Sequence, residues 1–345
     1  MHILVEKNHP VEPRLRLKVF AAFFAIYVIW GSTFLFIRIA VLLVPPWFAA
    51  GTRFFAAGVI LFFFMKIRGR ATPSVAQWRN LAIVAFLMFV VTYGALFWAE
   101  QYVPSSIAAV LEATLPLITI AFEFIILRNQ RFHWKMLAGI VLGFAGVVVL
   151  MLQRDQLHAR FPVFPCLVVL GGGTAWSLGA VLSRSLTLPK SRGITAGAEM
   201  MMGGAVLLAL SAASGELRHF PHLAAHQAWK AVGALAYLIT AGSLIGFSAF
   251  VWLLSRMPAT RVASHAYVNP VVAVALGYLV LQEPITARTV IGTILVVASV
   301  ALILQKRARD LFPSGGSPDA NGSRDTEELA TVQASTGTNI ASNYL

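Results

Sequence analysis

The sequence predicts an all-α membrane protein in which ten transmembrane helices form two five-helix units of opposite orientation. Of its 345 residues, 58% are hydrophobic and only 12% are charged, which is more apolar surface than a water-soluble domain of this length can bury. Apolar runs of about 20 residues, the length that crosses a bilayer core, recur until about residue 305. The two halves of the chain also share residues at constant spacing, which indicates an internal repeat.

Ten apolar runs can be delimited by hydropathy and by the turn residues between them. Prolines mark several of the links, because proline is tolerated in the first turn of a helix and poorly inside it. The first run is longer than the apolar core of a signal peptide, so it is expected to be retained. The predicted spans are residues 20–43, 46–65, 81–99, 103–127, 134–152, 163–183, 194–212, 230–254, 259–281 and 286–305.

Lysine and arginine are distributed unequally between the two sides of this arrangement. The side with the N-terminal tail, the even-numbered links and the C-terminal tail holds 20 of the 27, and the opposite links hold five. Basic loops remain in the cytoplasm, so residues 1–18 and 311–345 are expected to be cytoplasmic tails, the second of them disordered because it is polar and lacks apolar periodicity. The net charge of +13 lies in links rather than on one face, which argues against nucleic-acid binding.

The internal repeat is visible when the second half is slid over the first. At an offset of 146 the matched pairs are Trp30 with Trp176, Gly51 with Gly197, Arg53 with Glu199 and Gly58 with Gly204. At an offset of 154 they are Trp98 with Trp252, Pro104 with Pro258, Pro116 with Pro270 and Leu127 with Leu281. Because each unit holds five spans, the second unit enters the membrane from the opposite side, an arrangement typical of transporters that work by alternating access.

Several motifs resemble the EamA family of the drug/metabolite transporter superfamily, and some of them resemble its YedA-like branch. The motifs are Trp30-Gly31-Ser32-Thr33-Phe34, Arg53, Val103-Pro104-Ser105-Ser106, Leu186-Thr187-Leu188-Pro189, Ala198-Glu199-Met200 and the run from Ala266 to Ala273. The resemblance covers residues 20–305. It implies an inner-membrane protein with two inverted EamA repeats, residues 19–152 and 163–305, around a central cavity from which the fifth and tenth helices stand apart.

One position departs from the family pattern. Most EamA units carry a glutamate after the fourth helix, and the second copy has it as Glu283, whereas the first copy has Asn129. We interpret this difference as the loss of a loop contact rather than of transport.

Four ionisable residues within the apolar spans are candidates for a functional site, because such residues are costly in a membrane. The helical rise places Arg53 and Glu112 roughly 10 and 12 Å from one membrane surface, and Glu199 and His265 roughly 8 and 9 Å from the other. Each pair can therefore meet. Two interpretations stay open: the pairs bind a zwitterionic or polar solute or exchange a proton for it, or they are buried ion pairs that fix helix register. For His265 alone a structural hydrogen bond is favoured.

Three further residues complete the predicted site. Trp30 lies mid-span beside two small residues, which leave room for the indole to face inward, so it is the preferred aromatic wall. Tyr267 is a second aromatic candidate, with placement at the membrane surface as its alternative. Asn269 precedes Pro270, whose missing N–H frees a carbonyl, so its amide bonds either that backbone or a solute, and we favour the cavity.

The predicted function is that of a secondary transporter, an exporter of small metabolites, amino acids or amphipathic compounds. An integral-membrane enzyme or a channel is the alternative. Motifs for zinc hydrolysis, a serine nucleophile and a phosphate loop are not found, which argues against an enzyme, and the single cysteine, Cys166, excludes an internal disulfide and a cysteine metal site. The expected partners are a small solute and the bilayer, with no cofactor; a coupling proton and a homodimer stay open.

Overall fold

Helices make up all the regular structure in the described residues. A computed structural model describes residues 13–127, 134–152, 162–218, 220–254, 256, 262 and 264–311. By contacts the chain divides into two units, residues 1–305 and 306–345. All the candidate residues belong to the first unit.

Ten apolar helices are found in the described residues. In chain order they are α1 (Leu17–Val41), α2 (Pro46–Ile67), α3 (Val75–Ala99), α4 (Ser105–Ile126), α5 (Ala138–Met151), α6 (Val163–Leu182), α7 (Arg192–Ala213), α8 (Ala225–Leu253), α9 (His265–Leu281) and α10 (Ala287–Leu302). Seven are long and apolar enough to cross a membrane, whereas α5, α9 and α10 are shorter. Each predicted span overlaps one of these helices.

The third and eighth helices begin about five residues before the predicted spans. Ser74 caps α3: its Oγ accepts the Gln77 N–H at 3.3 Å, and Oε1 of Gln77 accepts the Ser74 N–H at 2.9 Å. This reciprocal capping starts the helix before the apolar run begins. In front of α8, the Ala224 N–H donates to Oε1 of Gln227 at 3.0 Å. Polar first turns therefore concealed both helix starts from an analysis based on hydropathy.

Four of the helical segments are wound as π-helix. They are Ala25–Ile29 in α1, Phe86–Val91 in α3, Glu123–Leu127 at the end of α4 and Leu238–Ile245 in α8. A π-turn shifts the regular hydrogen-bond ladder and leaves carbonyl groups available to other donors. Two of these segments, those in α1 and α8, receive such donors from other helices, as described below.

Helix α4 is interrupted in its middle. The first half ends at Glu112, the second begins at Leu115, and Thr114 donates its hydroxyl to the Leu111 carbonyl at 2.7 Å in the break. Pro116 lies in the first turn of the second half, where its missing N–H costs little. The break leaves Glu112 at a helix end within an apolar span, a position that membrane carriers use for solute and ion sites.

The two halves of the chain meet along α2 and α7 with backbone contact. A Cβ on Gly58 would collide with the backbone nitrogen of Met201, and a Cβ on Gly204 would collide with that of Phe55. Only glycine permits this approach, as in other close pairs of membrane helices. This contact between α2 and α7 therefore fixes α2, which carries Arg53, against the second half of the chain.

Candidate functional site

Arg53 is a buried guanidinium with part of its hydrogen-bonding capacity unused. The side chain is 4% exposed, and its Nε donates to Oγ of Ser243 at 3.1 Å. Its Cζ lies 4.7 Å from the ring centre of Phe54 and 5.5 Å from that of Tyr93, within cation–π range. Among the described residues, no group accepts a hydrogen bond from Nη1. The guanidinium is thus held by Nε and the rings while one nitrogen remains available.

The partner of Arg53 comes from the π-segment of α8. That segment, Leu238–Ile245, carries Ser243 and also the Gly242 carbonyl, which accepts the indole Nε1–H of Trp30 at 3.0 Å. Donors from α1 and α2 therefore converge on one irregular stretch of α8. Trp30 is close to the predicted site, but its polar atom is bonded to backbone.

Glu112 presents a second unsatisfied charged atom. Its Oε1 is buried and has no donor in the described part of the chain, and it lies 3.7 Å from where a Cβ on Gly173 of α6 would stand. The phenol of Tyr93 interacts electrostatically with both Arg53 and Glu112, so the three side chains lie in the same part of the interior.

Aromatic rings line this part of the interior. Tyr93 packs edge-to-face against Trp176 of α6, with ring centres 5.9 Å apart, and Phe54 lies 4.3 Å from Tyr93. Rings at these distances form stable apolar walls. We call Arg53, Tyr93, Glu112, Trp176 and Ser243 the Arg53 region.

The predicted contact between Arg53 and Glu112 is not made. In the described residues the ion pair within 4 Å is formed elsewhere, by Arg184 and Glu123. Arg53 turns instead to Ser243, because the π-segment of α8 presents an acceptor next to α2. Both residues lie near Tyr93, as their similar depth in the membrane suggests, but they do not form an ion pair with each other.

His265 and Glu199 also fail to meet. The Nδ1 of His265 lies 2.9 Å from the Val262 carbonyl, and its ring packs against Trp30 at 5.2 Å and Phe250 at 5.9 Å. Glu199 is 8% exposed on α7, and within the described ranges no ion pair joins it to His265. The reason is that α7 packs along α2, whereas the His265 ring at the start of α9 packs against Trp30 of α1 and Phe250 of α8. The structural interpretation of His265 is the one that its contacts match.

Asn269 is bonded to backbone rather than facing a cavity. In the orientation that its neighbours require, the amide nitrogen donates to the carbonyls of Tyr27 and Ile26 at 3.0 Å and of His265 at 3.1 Å. Two of these carbonyls belong to the π-segment of α1. The preference for a cavity role is thus replaced by the backbone alternative. We call Trp30, Phe250, His265 and Asn269 the His265 region.

Tyr267 lies apart from the other candidates. Its hydroxyl donates to the Val300 carbonyl of α10 at 3.4 Å, and its ring packs on Leu117 and Ile120 of α4. The residue therefore joins α9 to α4 and α10, away from Arg53.

An apolar cavity of about 360 Å³ is formed by residues outside the Arg53 region. Its lining comes from α2, α3, α6 and α7 and consists of Trp47, Val90, Gly94, Ala95, Trp98, Phe164, Val168, Leu207 and Leu210. No charged side chain lines it, so it lacks the groups that orient a polar solute. For this reason the candidate site is placed at Arg53 rather than in the cavity.

The sequence model of the EamA-like transporter family matches residues 17–152 and 163–305. The chain belongs to the EamA-like transporter family. The resemblance that the motifs predicted is thereby confirmed.

Similar proteins carry transporter names. The uncharacterized inner membrane transporter YedA of Escherichia coli K12 is 39% identical over 268 residues, which cover 76% of this chain and 83% of YedA. The uncharacterized transporter YvbV of Bacillus subtilis is 26% identical over 296 residues, or 85% of this chain and 93% of YvbV. A solved crystal structure, 19% identical, covers 86% of this chain and 99% of its own with a TM-score of 0.56, which shows a shared fold. The family is thus one of membrane transporters.

At one end of the helices, glutamate carboxylates accept hydrogen bonds from the N-termini of other helices. The two oxygens of Glu283, which follows α9, accept the N–H and hydroxyl of Ser105 at 2.7 and 2.8 Å and those of Ser106 at 3.0 and 2.6 Å. Four donors and the positive end of α4 thus hold one carboxylate. Sequence analysis noted Glu283 only as a family position; the hydroxyls after Pro104 were the signal for its partner. Asn129, its counterpart, lies outside the described residues.

Glu216 makes an equivalent contact at the start of α2. Its carboxylate oxygens accept the backbone N–H groups of Trp47 at 3.3 Å and Phe48 at 3.1 Å. Glu216 follows α7 in the second half of the chain. Two helices of the first half are therefore capped by carboxylates of the second.

Arginines hold the neighbouring helix C-termini. Nη1 of Arg38 donates to the backbone carbonyl of Glu100 after α3, and Nη1 of Arg288 donates to that of Leu152 after α5. A positive side chain at a helix C-terminus and a negative one at an N-terminus both match the helix dipole. We call this set of contacts, at Glu216, Glu283, Arg38 and Arg288, the Glu283 end.

The opposite end is joined by an ion pair. Nη1 of Arg184, after α6, lies 2.6 Å from Oε1 of Glu123 in α4. Glu123 is fully buried, whereas the Arg184 side chain is 52% exposed. A further hydrogen bond runs from Nδ2 of Asn80 to the Thr187 carbonyl at 3.1 Å. We call this the Arg184 end.

Proposed function

We propose that this chain is a secondary transporter that exports small zwitterionic metabolites, with amino acids as the first class to test, by alternating access. The observation that supports this most strongly is a pair of buried polar atoms, Nη1 of the Arg53 guanidinium and Oε1 of the Glu112 carboxyl group, which lack partners among the described residues and belong to side chains that both act on Tyr93. Unpartnered buried charges are costly. A solute with one carboxylate and one ammonium group would supply both partners.

Each residue of the Arg53 region has a distinct proposed role. Arg53 receives the solute carboxylate on Nη1, because Ser243 and the two rings fix the guanidinium plane and leave that nitrogen free. Glu112 receives the ammonium group at the break in α4. Tyr93 and Trp176 form the wall against which an apolar solute side chain packs.

The proposed architecture has all ten helices crossing the membrane as two inverted repeats. The family model matches once in each half, and the third helix of each half, α3 and α8, contains a π-segment. At the offset of 146, Arg38 of the Glu283 end falls on Arg184 of the other end. These correspondences support two copies of one unit whose equivalent ends face opposite sides.

The proposed orientation places the Glu283 end in the periplasm and both termini in the cytoplasm, as the distribution of basic residues favours. At the Glu283 end three charged side chains of the second half, Glu216, Glu283 and Arg288, hold helix ends of the first half. At the Arg184 end, within the described ranges, the two halves are joined by the Arg184–Glu123 ion pair, by the Asn80–Thr187 hydrogen bond and by the hydrogen bond between the hydroxyls of Tyr27 and Ser264.

The test combines a binding screen with an exchange assay on the purified protein. The twenty amino acids, their decarboxylated amines and their deaminated acids are screened for thermal stabilisation, since a ligand of the folded state raises its apparent stability. We expect at least one zwitterion to stabilise the protein and to show saturable counterflow in proteoliposomes, while its amine and its acid do neither. Stabilisation by the amine and the acid equal to that by the zwitterion would contradict the proposed site, and non-saturable flux would indicate a channel.

A further inference from the structure

Glu100 is a buried carboxyl group that the proposed solute site does not use. It is the first residue after α3, and its side chain is 0% exposed. Within the described part of the chain neither Oε1 nor Oε2 has a hydrogen-bond donor. An ionised carboxylate in such a position is strongly destabilised, whereas a neutral carboxyl is much less so.

The nearest cation does not neutralise Glu100 directly. Arg38, from α1, places Nη1 on the backbone carbonyl of Glu100 instead of on its carboxylate. The other charged groups that act on Glu100 are Glu283 after α9, Glu112 in α4 and Arg53 in α2. Burial raises the pKa of Glu100 well above its ordinary value; Arg38 and Arg53 act against this shift, and the two acids add to it.

Neighbouring donors are already engaged. The N–H and hydroxyl groups of Ser105 and Ser106 all donate to Glu283. At the Glu283 end, four donors thus stabilise the Glu283 carboxylate, whereas the Glu100 carboxyl group receives no donor from the described residues. The two acidic side chains therefore differ in how they are stabilised.

We propose that Glu100 is a proton-binding site that is loaded when the Glu283 end closes and is unloaded when that end opens. On closing, one proton from water on that side bonds to a carboxyl oxygen of Glu100; on opening, water reaches the group and the proton returns to it. No electrons are exchanged. The inference rests on the proposed function only in that the Glu283 end is taken to be a gate.

The sign of the pH effect follows from this. A group whose pKa is higher in the closed than in the open state binds a proton on closing. The closed state is therefore favoured at low pH and loses that advantage as the pH rises through the closed-state pKa of Glu100. A neutral residue at this position removes the dependence.

Infrared difference spectroscopy of the purified protein tests the bound proton. We expect the spectrum of the unaltered protein minus that of Glu100→Gln, at neutral pH, to contain a protonated-carboxyl band that shifts in D₂O. Glu216→Gln is the matched control, because the Glu216 carboxylate accepts two backbone N–H groups and its removal should take away an ionised-carboxylate band. An ionised-carboxylate band at Glu100, with or without added sodium, would overturn the proposal. Glu100→Met is a second non-titrating variant.

Cysteine labelling tests the link to closure. In a Cys166→Ala background, Val103→Cys reports on a buried position of the α3–α4 link and Tyr102→Cys on its exposed neighbour, 52% accessible. The labelling rate of Val103→Cys is divided by that of Tyr102→Cys, because this ratio cancels the pH dependence of thiol chemistry. We expect the ratio to rise with pH in otherwise unaltered protein and to stay constant when Glu100→Gln is added. An unchanged pH dependence in the Glu100 variant would refute the link.

Neither measurement needs a solute. A carrier that shows both effects but binds no zwitterion would contradict the proposed function alone, whereas a protein that exchanges amino acids without either effect would contradict the Glu100 site alone.

Discussion

The Arg53 region and the His265 region contain similar residues, but the hydrogen bonding of their polar side chains differs. Each combines an ionisable side chain with aromatic rings inside the helix bundle. In the Arg53 region, Nη1 of Arg53 and Oε1 of Glu112 are buried without partners among the described residues. In the His265 region the polar groups of His265 and Asn269 are bonded to backbone carbonyls. Since buried polar groups are nearly always paired, the comparison supports the binding role that we propose for the first region and a structural role for the second.

The π-segments explain how both regions arise. In α1 the segment Ala25–Ile29 contains two of the three carbonyls that accept hydrogen bonds from the Asn269 amide. In α8 the segment Leu238–Ile245 presents Ser243 to only one of the three guanidinium nitrogens of Arg53. Two π-segments thus act differently: one contributes acceptors for the Asn269 amide, and the other orients the Arg53 guanidinium, whose Nη1 has no acceptor among the described residues.

The largest expected effect is the loss of solute binding from the Arg53 region. Arg53→Gln and Glu112→Gln should each weaken binding of a zwitterion by about 100-fold, because each removes a charged hydrogen bond that contributes about 1.5 to 3 kcal/mol. The folded yield should stay close to that of the unaltered protein, since the two side chains do not form an ion pair with each other. Ligand-induced thermal stabilisation and counterflow measure the effect.

The double variant Arg53→Gln with Glu112→Gln separates the two original interpretations. A structural pair would make each single change cost about 3 to 5 kcal/mol of stability, and the double change would restore it. We expect neither the loss nor the recovery, and no transport in the double variant. Full transport by all three variants would remove the solute site from these residues.

The sequence located the charged members of the site but not their neighbours. Arg53 and Glu112 were identified because a charge in an apolar span is a strong signal. Their partners depend on helix rotation and packing, which depth along the axis does not specify. Ser243 is a small polar residue without a pattern of its own, and its role arises from a π-segment that hydropathy does not reveal.

The fold was more accessible than the site. Apolar runs located every helix, because the bilayer imposes a length that hydropathy reports. The starts of α3 and α8 were missed because capping by Gln77 and Gln227 precedes the apolar residues. The ion pair of Arg184 and Glu123 was not predicted, because the burial of Glu123 depends on the neighbouring helix and not on depth in the membrane.

A smaller effect is expected for Asn269, and on stability rather than on transport. Asn269→Ala leaves three carbonyls without their shared donor and should lower stability by about 1 to 2 kcal/mol, given that hydrogen bonds between membrane helices contribute about 0.6 kcal/mol each. Asn269→Asp should cost more, because it directs a carboxylate at carbonyl oxygens. Thermal unfolding measures both.

The matched control is Asn80→Ala, which removes a single exposed hydrogen bond to Thr187 and should cost less than about 0.5 kcal/mol. Solute binding per folded molecule should be unchanged in all three variants. Loss of binding in Asn269→Ala with full stability would return Asn269 to the solute site.

The smallest expected effect is the energetic coupling between Glu199 and His265. The sequence predicted this pair as the counterpart of Arg53 and Glu112, so the coupling tests whether the two regions differ. The sequence offset of 146 aligns Glu199 with Arg53, yet Glu199 lies on α7, while the His265 ring packs against Trp30 and Phe250. Residues without a shared contact act additively within about 0.3 to 0.5 kcal/mol. The stabilities of Glu199→Gln, His265→Phe and the double variant should therefore sum without a coupling term, and His265→Phe should retain solute binding because the ring contacts survive. A coupling above about 1 kcal/mol would mean that the two side chains meet in another state of the transport cycle, and the His265 region would then be the second half of the site.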